Sequence, residues 1–330
     1  MSTVDVIASV EVGLYRVPLL QAASDAKVLT GRQRPLSHVD LVTAHLVTRD
    51  GRRGFGFGYS LRAGGNAVFA HARDVAPELV GEDPNDIGRL WEKLAWAGAS
   101  VSRTGVPVQA IGAFDVALWD LKARRAGLSL AKLLGAYRDA VPCYNTSGGF
   151  LHTPLDQLLV NAQASRERGI GGIKLKVGQP DRALDLRRVE AVRRHLGDDA
   201  PLMVDANQQW DRPTAERMGL ALEAFNLVWI EEPLDAYDHE GHAALAARLV
   251  TPVATGEMLT NALEHADLIR HRAADILMPD APRVGGITPF LKVAALAEHA
   301  GLMLAPHFAM ELHVHLAAAF PSEPWVEHFE

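Results

Sequence analysis

Eight short apolar runs, each reaching a polar residue and all but the last followed by a helical pattern, constrain this chain more than any other feature. They are VPCYNT (141–146), GIKLKV (172–177), PLMVDAN (201–207), LVWIEE (227–232), PVATGE (252–257), ILMPD (276–280), LMLAPH (302–307) and PWVEHF (324–329). Near-continuous apolar strands belong to a parallel sheet that is covered on both faces. Parallel neighbours need a crossover, and stretches such as DRALDLRRVEAVRRHLG, DRPTAERMGLALEAF and PFLKVAALAEHAG supply amphipathic helices for it. A helix is therefore predicted after each of the first seven strands. Eight strands joined this way close most naturally into an α/β barrel of (β/α)7β type, a modified TIM barrel.

The first third of the chain reads differently. VDVIASVEVGLYRVPL and DLVTAHLVTRDGRRGFGFGYS are predicted strands around an Asp50-Gly51 hairpin turn. Helices follow, one capped by Asp83 with Pro84 in its first turn and another from about Val106 to Arg125. An α+β domain over residues 1–135 and a barrel over 136–330 result, joined through Leu133-Leu134-Gly135. With no low-complexity linker between them, the two are expected to pack tightly.

Composition excludes several classes. A single cysteine, Cys143, leaves no internal disulfide and no cysteine-based zinc site. No apolar run is long enough to span a membrane, and the start MSTVDVIASVEVG is not a signal peptide, so a cytoplasmic location is expected. The net charge of −7 argues against nucleic-acid or anionic-membrane partners. An anionic small molecule fits only where positive charge is focused locally.

The chemistry sits at the strand ends, where barrel enzymes carry their active sites. Asp205, Glu231 and Glu257 end the third, fourth and fifth strands at successive spacings of 26 residues. Any one of them alone reads as a helix cap. Three in register would repel one another unless a cation neutralised them, and an all-oxygen set suits Mg2+. Lys174 and Lys176 end the second strand two residues apart, so both point into the barrel; each is expected to depress the other's pKa, and beside a second cation and a metal such a lysine is expected to be partly neutral near pH 7 and to serve as a general base. Asp280 and His307 end the sixth and seventh strands, placed for a carboxylate–imidazole pair. Glu327, on the eighth, is expected to stay protonated in so crowded a site and to donate to developing oxyanion charge.

The segments KLKVG, VDANQQWD, WIEEP, ATGE, PDAPRVGG, APH and WVEHFE resemble the mandelate racemase group of the enolase superfamily, over nearly the whole chain. SDAKVLTGRQ, WAGASV, CYNTSGGFLHTPLDQ and EEPLDAYDHEGH narrow the resemblance to its acid-sugar dehydratases. The resemblance implies Mg2+ ligands at Asp205, Glu231 and Glu257, bases at Lys176 and at His307 paired with Asp280, and an electrophilic acid at Glu327. It further implies that Lys174 and Asn207 hold the substrate carboxylate and the metal surroundings. The N-terminal domain becomes a cap whose loops bring Asp25, Lys27 and Arg62 to the distal end of a diacid such as galactarate or L-talarate.

Two positions depart from the pattern: Leu61 stands where a second basic residue beside Arg62 is expected, and the sequence ends at Glu330 where relatives continue toward the cap. The expected function is Mg2+-dependent dehydration of an acid sugar through an ene-diolate, with epimerisation as a side reaction and a homo-oligomer as the working form. A racemase or cycloisomerase acting on another carboxylate is the nearest alternative, and a non-catalytic sugar-acid-binding barrel the alternative of another class. Gly54-Phe55-Gly56-Phe57-Gly58 reads as a close-packed strand rather than a phosphate loop. His313 and His315 face different ways on a helix and so make no metal site. The sequence HFAM after the seventh strand disfavours a phosphorylated substrate.

Overall fold

A computed structural model describes residues 5–329; Val4, in the first predicted strand, and the terminal Glu330 lie outside the described residues. The chain opens with β1 (Ile7–Ala23), a short α1 (Ala26–Leu29), β2 (Leu36–Thr48) and β3 (Arg53–Leu61), and the three strands form an antiparallel meander. The Asp50-Gly51 turn joins β2 to β3, with Gly51 at φ 84°. On β3 the period of two separates glycines from bulky residues. A Cβ on Gly54 or Gly56 would run into the carbonyl oxygens of Ala117 and Ala113, so this strand lies directly on a helix, as a close-packed strand should.

Next come α2 (Gly65–Val75), α3 (Ile87–Ala97), α4 (Val106–Ala126) and α5 (Leu130–Leu133). The third helix starts later than expected. Asp83 accepts from the amide of Asn85 at 2.9 Å, closing a turn of its own, and Asp86 occupies the cap position instead. Helix α4 is buried on most sides, between the three-stranded sheet and the barrel.

The eight barrel strands are β4 (Cys143–Asn145), β5 (Gly172–Lys176), β6 (Leu202–Asp205), β7 (Ile230–Glu231), β8 (Val253–Thr255), β9 (Ile276–Leu277), β10 (Met303–Leu304) and β11 (Val326–His328). Each falls inside one of the eight predicted runs. The ladder is wholly parallel, in the order β10-β9-β8-β7-β6-β5-β4-β11. Its end strands meet through the Trp325 amide, which donates to the Leu304 carbonyl at 3.2 Å. The seven predicted helices follow the first seven strands: α6 (Leu155–Glu167), α7 (Arg182–Leu196), α8 (Arg212–Leu222), α9 (His239–Arg248), α10 (Ala262–Arg270), α11 (Ile287–His299) and α12 (Met310–Ala318).

Alternation along the strands sorts the core. Ile173, Leu175, Leu202, Val204, Ile230 and Val253 pack outward with helix residues such as Val189, Val192 and Met218. Tyr144, Met203, Trp229 and Ala254 fill the interior, where the Tyr144 and Trp229 rings meet edge to face at 5.1 Å. Since Ile173 and Leu175 point outward, their neighbours Lys174 and Lys176 must point in.

Side chains tie the N-terminal elements to the barrel, as the short connection predicted. The Trp91 indole donates to the Gly285 carbonyl at 2.8 Å, and Trp119 to the Thr288 hydroxyl at 2.9 Å. Asp115 on α4 accepts the Thr288 amide at 2.8 Å and so caps α11 from outside that helix. Burial outweighs that bond and raises the Asp115 carboxyl to about 7. In the unfolded chain it titrates near 4, so between about pH 4 and 7 the folded state holds a proton that the unfolded state has lost. Stability is therefore expected to fall across that window, by a total on the order of 4 kcal/mol from this one group. Asp115→Asn should flatten the fall; denaturation midpoints at pH 5, 6, 7 and 8 check it, and parallel curves for the two proteins would refute it.

Candidate active site

The register of three adjacent strands sets the site. Lys176 pairs with Asp205 across β5 and β6, and Asp205 with Glu231 across β6 and β7. Glu257 follows β8 and Asn207 follows β6. Lys174 is fully buried, with its ammonium 2.7 Å from Glu231 Oε1, 2.8 Å from Glu327 Oε1 and 3.9 Å from Asp205 Oδ2. One layer above, Lys176 donates to Asp205 Oδ2.

These charges divide the carboxylates. Burial works against ionising Asp205, but Lys176 and Lys174 prevail and pull it down to about 2. For Glu231 burial wins, aided by Asp205 and Glu257 against the attraction of Lys174, and its carboxyl is pushed well above the usual range. That is the electrostatic cost expected when acids converge in a buried site. Two expectations are corrected here. Lys176 is raised, not lowered: burial disfavours its charge, but Asp205 outweighs both burial and the repulsion of Lys174. Glu327 is ionised, not protonated: burial opposes ionisation, yet Lys174 and His307 bring it down to about 2. It also accepts from the Thr146 hydroxyl at 2.7 Å and the Phe308 amide at 2.9 Å.

Across the barrel, His307 Nδ1 lies 2.9 Å from Asp280 Oδ2, the expected pair, and its Nε2 lies 3.6 Å from Glu257 Oε2. Burial works to lower the imidazole pKa, but Glu257 and the Asp280 bond raise it overall. Strands β5 and β10 stand three apart one way round the sheet and five the other. Lys176 and His307 thus approach from nearly opposite sides, and both line a single cavity of about 690 Å³.

The cavity also takes Asn207, Glu257, Lys27 and Arg62. Asp205, Glu231, Lys174 and Glu327 are buried behind it and do not form its wall. At its far end the charges are partly spent on one another. Asp25 caps α1 and pairs with Arg62 at 3.2 Å, while Arg62 Nε donates to the Arg34 carbonyl at 2.7 Å. Leu61 presents an apolar wall where a second cation was expected.

Sequence reasoning missed two polar groups. Tyr59, on β3, reaches out of the meander, and its hydroxyl donates to Asp280 Oδ2 and lies 3.4 Å from His307 Nδ1. The alternation with Gly54, Gly56 and Gly58 was the available signal, because it turns Tyr59 away from α4. Arg283 lines the cavity and donates to the Glu257 carbonyl at 3.1 Å; its amide caps Asp280 Oδ1 at 3.0 Å. Its place three residues after Asp280 carried that hint.

The donor set fits a hard divalent cation. Asp205 and Glu231 are in register, Glu257 sits at the end of the next strand, and the buried Asn207 Oδ1 beside them has no hydrogen-bond partner. The three carboxylates are not drawn together to ligand spacing, because Lys174 and Lys176 hold Glu231 and Asp205.

Comparison with known proteins agrees with this geometry. Residues 31–135 match the family model described as mandelate racemase/muconate lactonizing enzyme, N-terminal domain, and residues 157–330 match enolase C-terminal domain-like. L-talarate/galactarate dehydratase of Salmonella typhimurium is 65% identical over 328 residues, covering 99% of this chain and 82% of its own. The crystal structure of L-talarate dehydratase from Polaromonas sp. JS666, complexed with Mg and L-glucarate, is 74% identical with a TM-score of 0.96, over 99% of this chain and 87% of that one. A 3,6-anhydro-alpha-L-galactonate cycloisomerase of Streptomyces coelicolor is 37% identical over 97% of this chain and 88% of its own.

Proposed function

The chain belongs to the mandelate racemase/muconate lactonizing enzyme family of the enolase superfamily, and from that premise we propose that it is a Mg2+-dependent hydro-lyase that dehydrates a six-carbon diacid such as galactarate or L-talarate. The observation that carries this reading is the arrangement of Lys176, Asp205 and Glu231 on adjacent strands, facing the Asp280–His307 pair across one cavity.

We assign Asp205, Glu231 and Glu257 as the residues that hold Mg2+, with Asn207 beside them. Bound there, the ion supplies counter-charge to the substrate carboxylate and to the charge that builds on it as the α-proton leaves. Lys176 Nζ and His307 Nε2 exchange that proton, each from its own side. His307 is oriented by Asp280 on Nδ1, which leaves Nε2 turned toward the cavity. Departure of the β-hydroxyl needs a proton, and whichever base does not take the α-proton supplies it. Glu327 acts through Lys174 and Thr146, fixing charge behind the reacting carboxylate.

We place the boundary between cap and barrel after Gly135. A homo-oligomer in the cytoplasm, without nucleic-acid or membrane partners, completes the reading. The net charge of −7 supports the reading that nucleic acid is not a partner, and no helix among the described residues is long and apolar enough to cross a membrane.

Lys27, Arg34, Arg62 and Arg283 give one cavity four cations besides Lys176, more than a monoacid can use. A screen of aldaric and aldonic acids with Mg2+, scored by 2-keto product, is expected to favour diacids by at least ~10-fold in kcat/KM, about 1.4 kcal/mol of transition-state binding. Turnover confined to monoacids would overturn the substrate class.

A further inference from the structure

On the outer wall of the barrel, away from the cavity, His239, Asp267 and His271 bring one ligand atom each to within 4.8 Å of one another. Among the described residues no other three His, Cys, Asp or Glu side chains do so. We propose that these residues form a second metal site, selective for an imidazole-preferring ion such as Zn2+ and distinct in chemistry from the carboxylate centre.

Two helices supply the ligands. His239 is the first residue of α9, while Asp267 lies in α10 and His271 caps its C-terminal end, so an ion here would clip one barrel helix to the next. Asp267 and His271 are four apart and share a helix face. Asp267 Oδ2 lies 3.1 Å from His239 Nδ1 and 3.6 Å from His271 Nδ1, and the two rings stand 5.8 Å apart. Bonds of about 2.0–2.2 Å to a tetrahedral ion set its ligand atoms roughly 3.3–3.6 Å apart, close to the 3.1 and 3.6 Å that already separate Asp267 Oδ2 from the two imidazole nitrogens.

Asp267 turns one oxygen to each side: Oδ2 faces His239 Nδ1 and Oδ1 faces Arg270. His242 and His265 are buried in the same two helices. Each spends its Nδ1 on a backbone carbonyl of its own helix at 3.0 Å. His239 Nε2 is buried with no hydrogen-bond partner, so this ring's polar contact is concentrated at Nδ1, the atom aimed at Asp267. Two groups compete with an ion: Arg270 holds the other oxygen of Asp267, and His271 Nδ1 sits 2.9 Å from the Asp267 carbonyl. Arg270 is exposed and can swing away, and the imidazole tautomer with its hydrogen on Nε2 offers Nδ1 of His271 as a ligand. Two imidazoles and one carboxylate with water in the fourth position make a tetrahedral set, which Mg2+ does not favour.

The test uses the full chain without a histidine tag, stripped by chelator and then saturated with Mg2+. Added Co2+ is expected to give intense visible bands from a nitrogen-containing tetrahedral site, which all-oxygen octahedral coordination does not produce, and Zn2+ should bleach them at one equivalent per chain. Zn2+ should also raise the melting temperature. His271→Ala, at a partly exposed position, and Asp267→Asn should lose the bands and the rise while turning over substrate normally with Mg2+. Absence of the bands in the unaltered protein, or their persistence in both variants, would overturn the proposal.

Discussion

Glu231→Gln is expected to reduce turnover by at least ~100-fold, the upper end of what loss of even a supporting partner costs a metal site. The substitution keeps the shape of the side chain and an oxygen to accept from the Trp229 indole, which donates to Glu231 at 3.1 Å. It removes the charge that Glu231 would carry with a cation bound beside Asp205 and Glu257. Lys174 keeps Glu327 at 2.8 Å, so its ammonium is not stranded and the fold should survive. The loss should therefore appear as weakened Mg2+ binding rather than as unfolding. Calorimetric titration with Mg2+, alongside activity and circular dichroism, separates the two. An unaltered Mg2+ dependence, or full activity after exhaustive chelation of the parent protein, would refute the ligand assignment.

What sequence could reveal here follows from how local each signal is. A strand buried on both faces writes its apolar run into consecutive residues, so all eight barrel strands were legible, down to Ile230–Glu231. A helix start depends on which of several polar residues wins the cap, and Asp83 and Asp86 differ only in what their neighbours do in three dimensions. The site divided in the same way. Asp205, Glu231, Glu257, Asp280 and His307 were legible because each ends an apolar run and parallel register carries strand ends to one rim. Tyr59 was not, because it arrives from a different sheet and meets Asp280 across 221 residues of sequence.

Charge states were the least legible of all. Two lysines two residues apart suggested mutual repulsion, and taken alone they would repel. What sequence could not weigh was that the same alternation that turns both inward also sets them against three buried acids. Each ammonium then gains more from its carboxylate than it loses to its neighbour. The identity of the residues was readable, but the balance of their charges required distances.

In D2O, Lys176→Ala and His307→Asn are expected to show opposite defects in exchange of the α-proton. The two residues enter one cavity from strands on nearly opposite sides, so each serves the hydrogen on its own face. Lys176→Ala should keep exchange only for the epimer whose hydrogen faces His307, and His307→Asn only for the complementary epimer. Both should lose epimerisation, which needs a base on each side. Dehydration should fall by ~10²–10⁴-fold in either variant, the usual contribution of a positioned acid or base, since one group takes the proton while the other assists hydroxide to leave. The Asn at position 307 can still reach toward Asp280, which guards against collapse of that wall. Proton NMR of the washed-in deuterium, read separately for each epimer, makes the measurement. If either variant dehydrates at a near-normal rate with unchanged stereochemistry of exchange, that residue is not an acid/base catalyst; if the two variants fail identically in exchange, the opposed-face arrangement is wrong even though both residues matter.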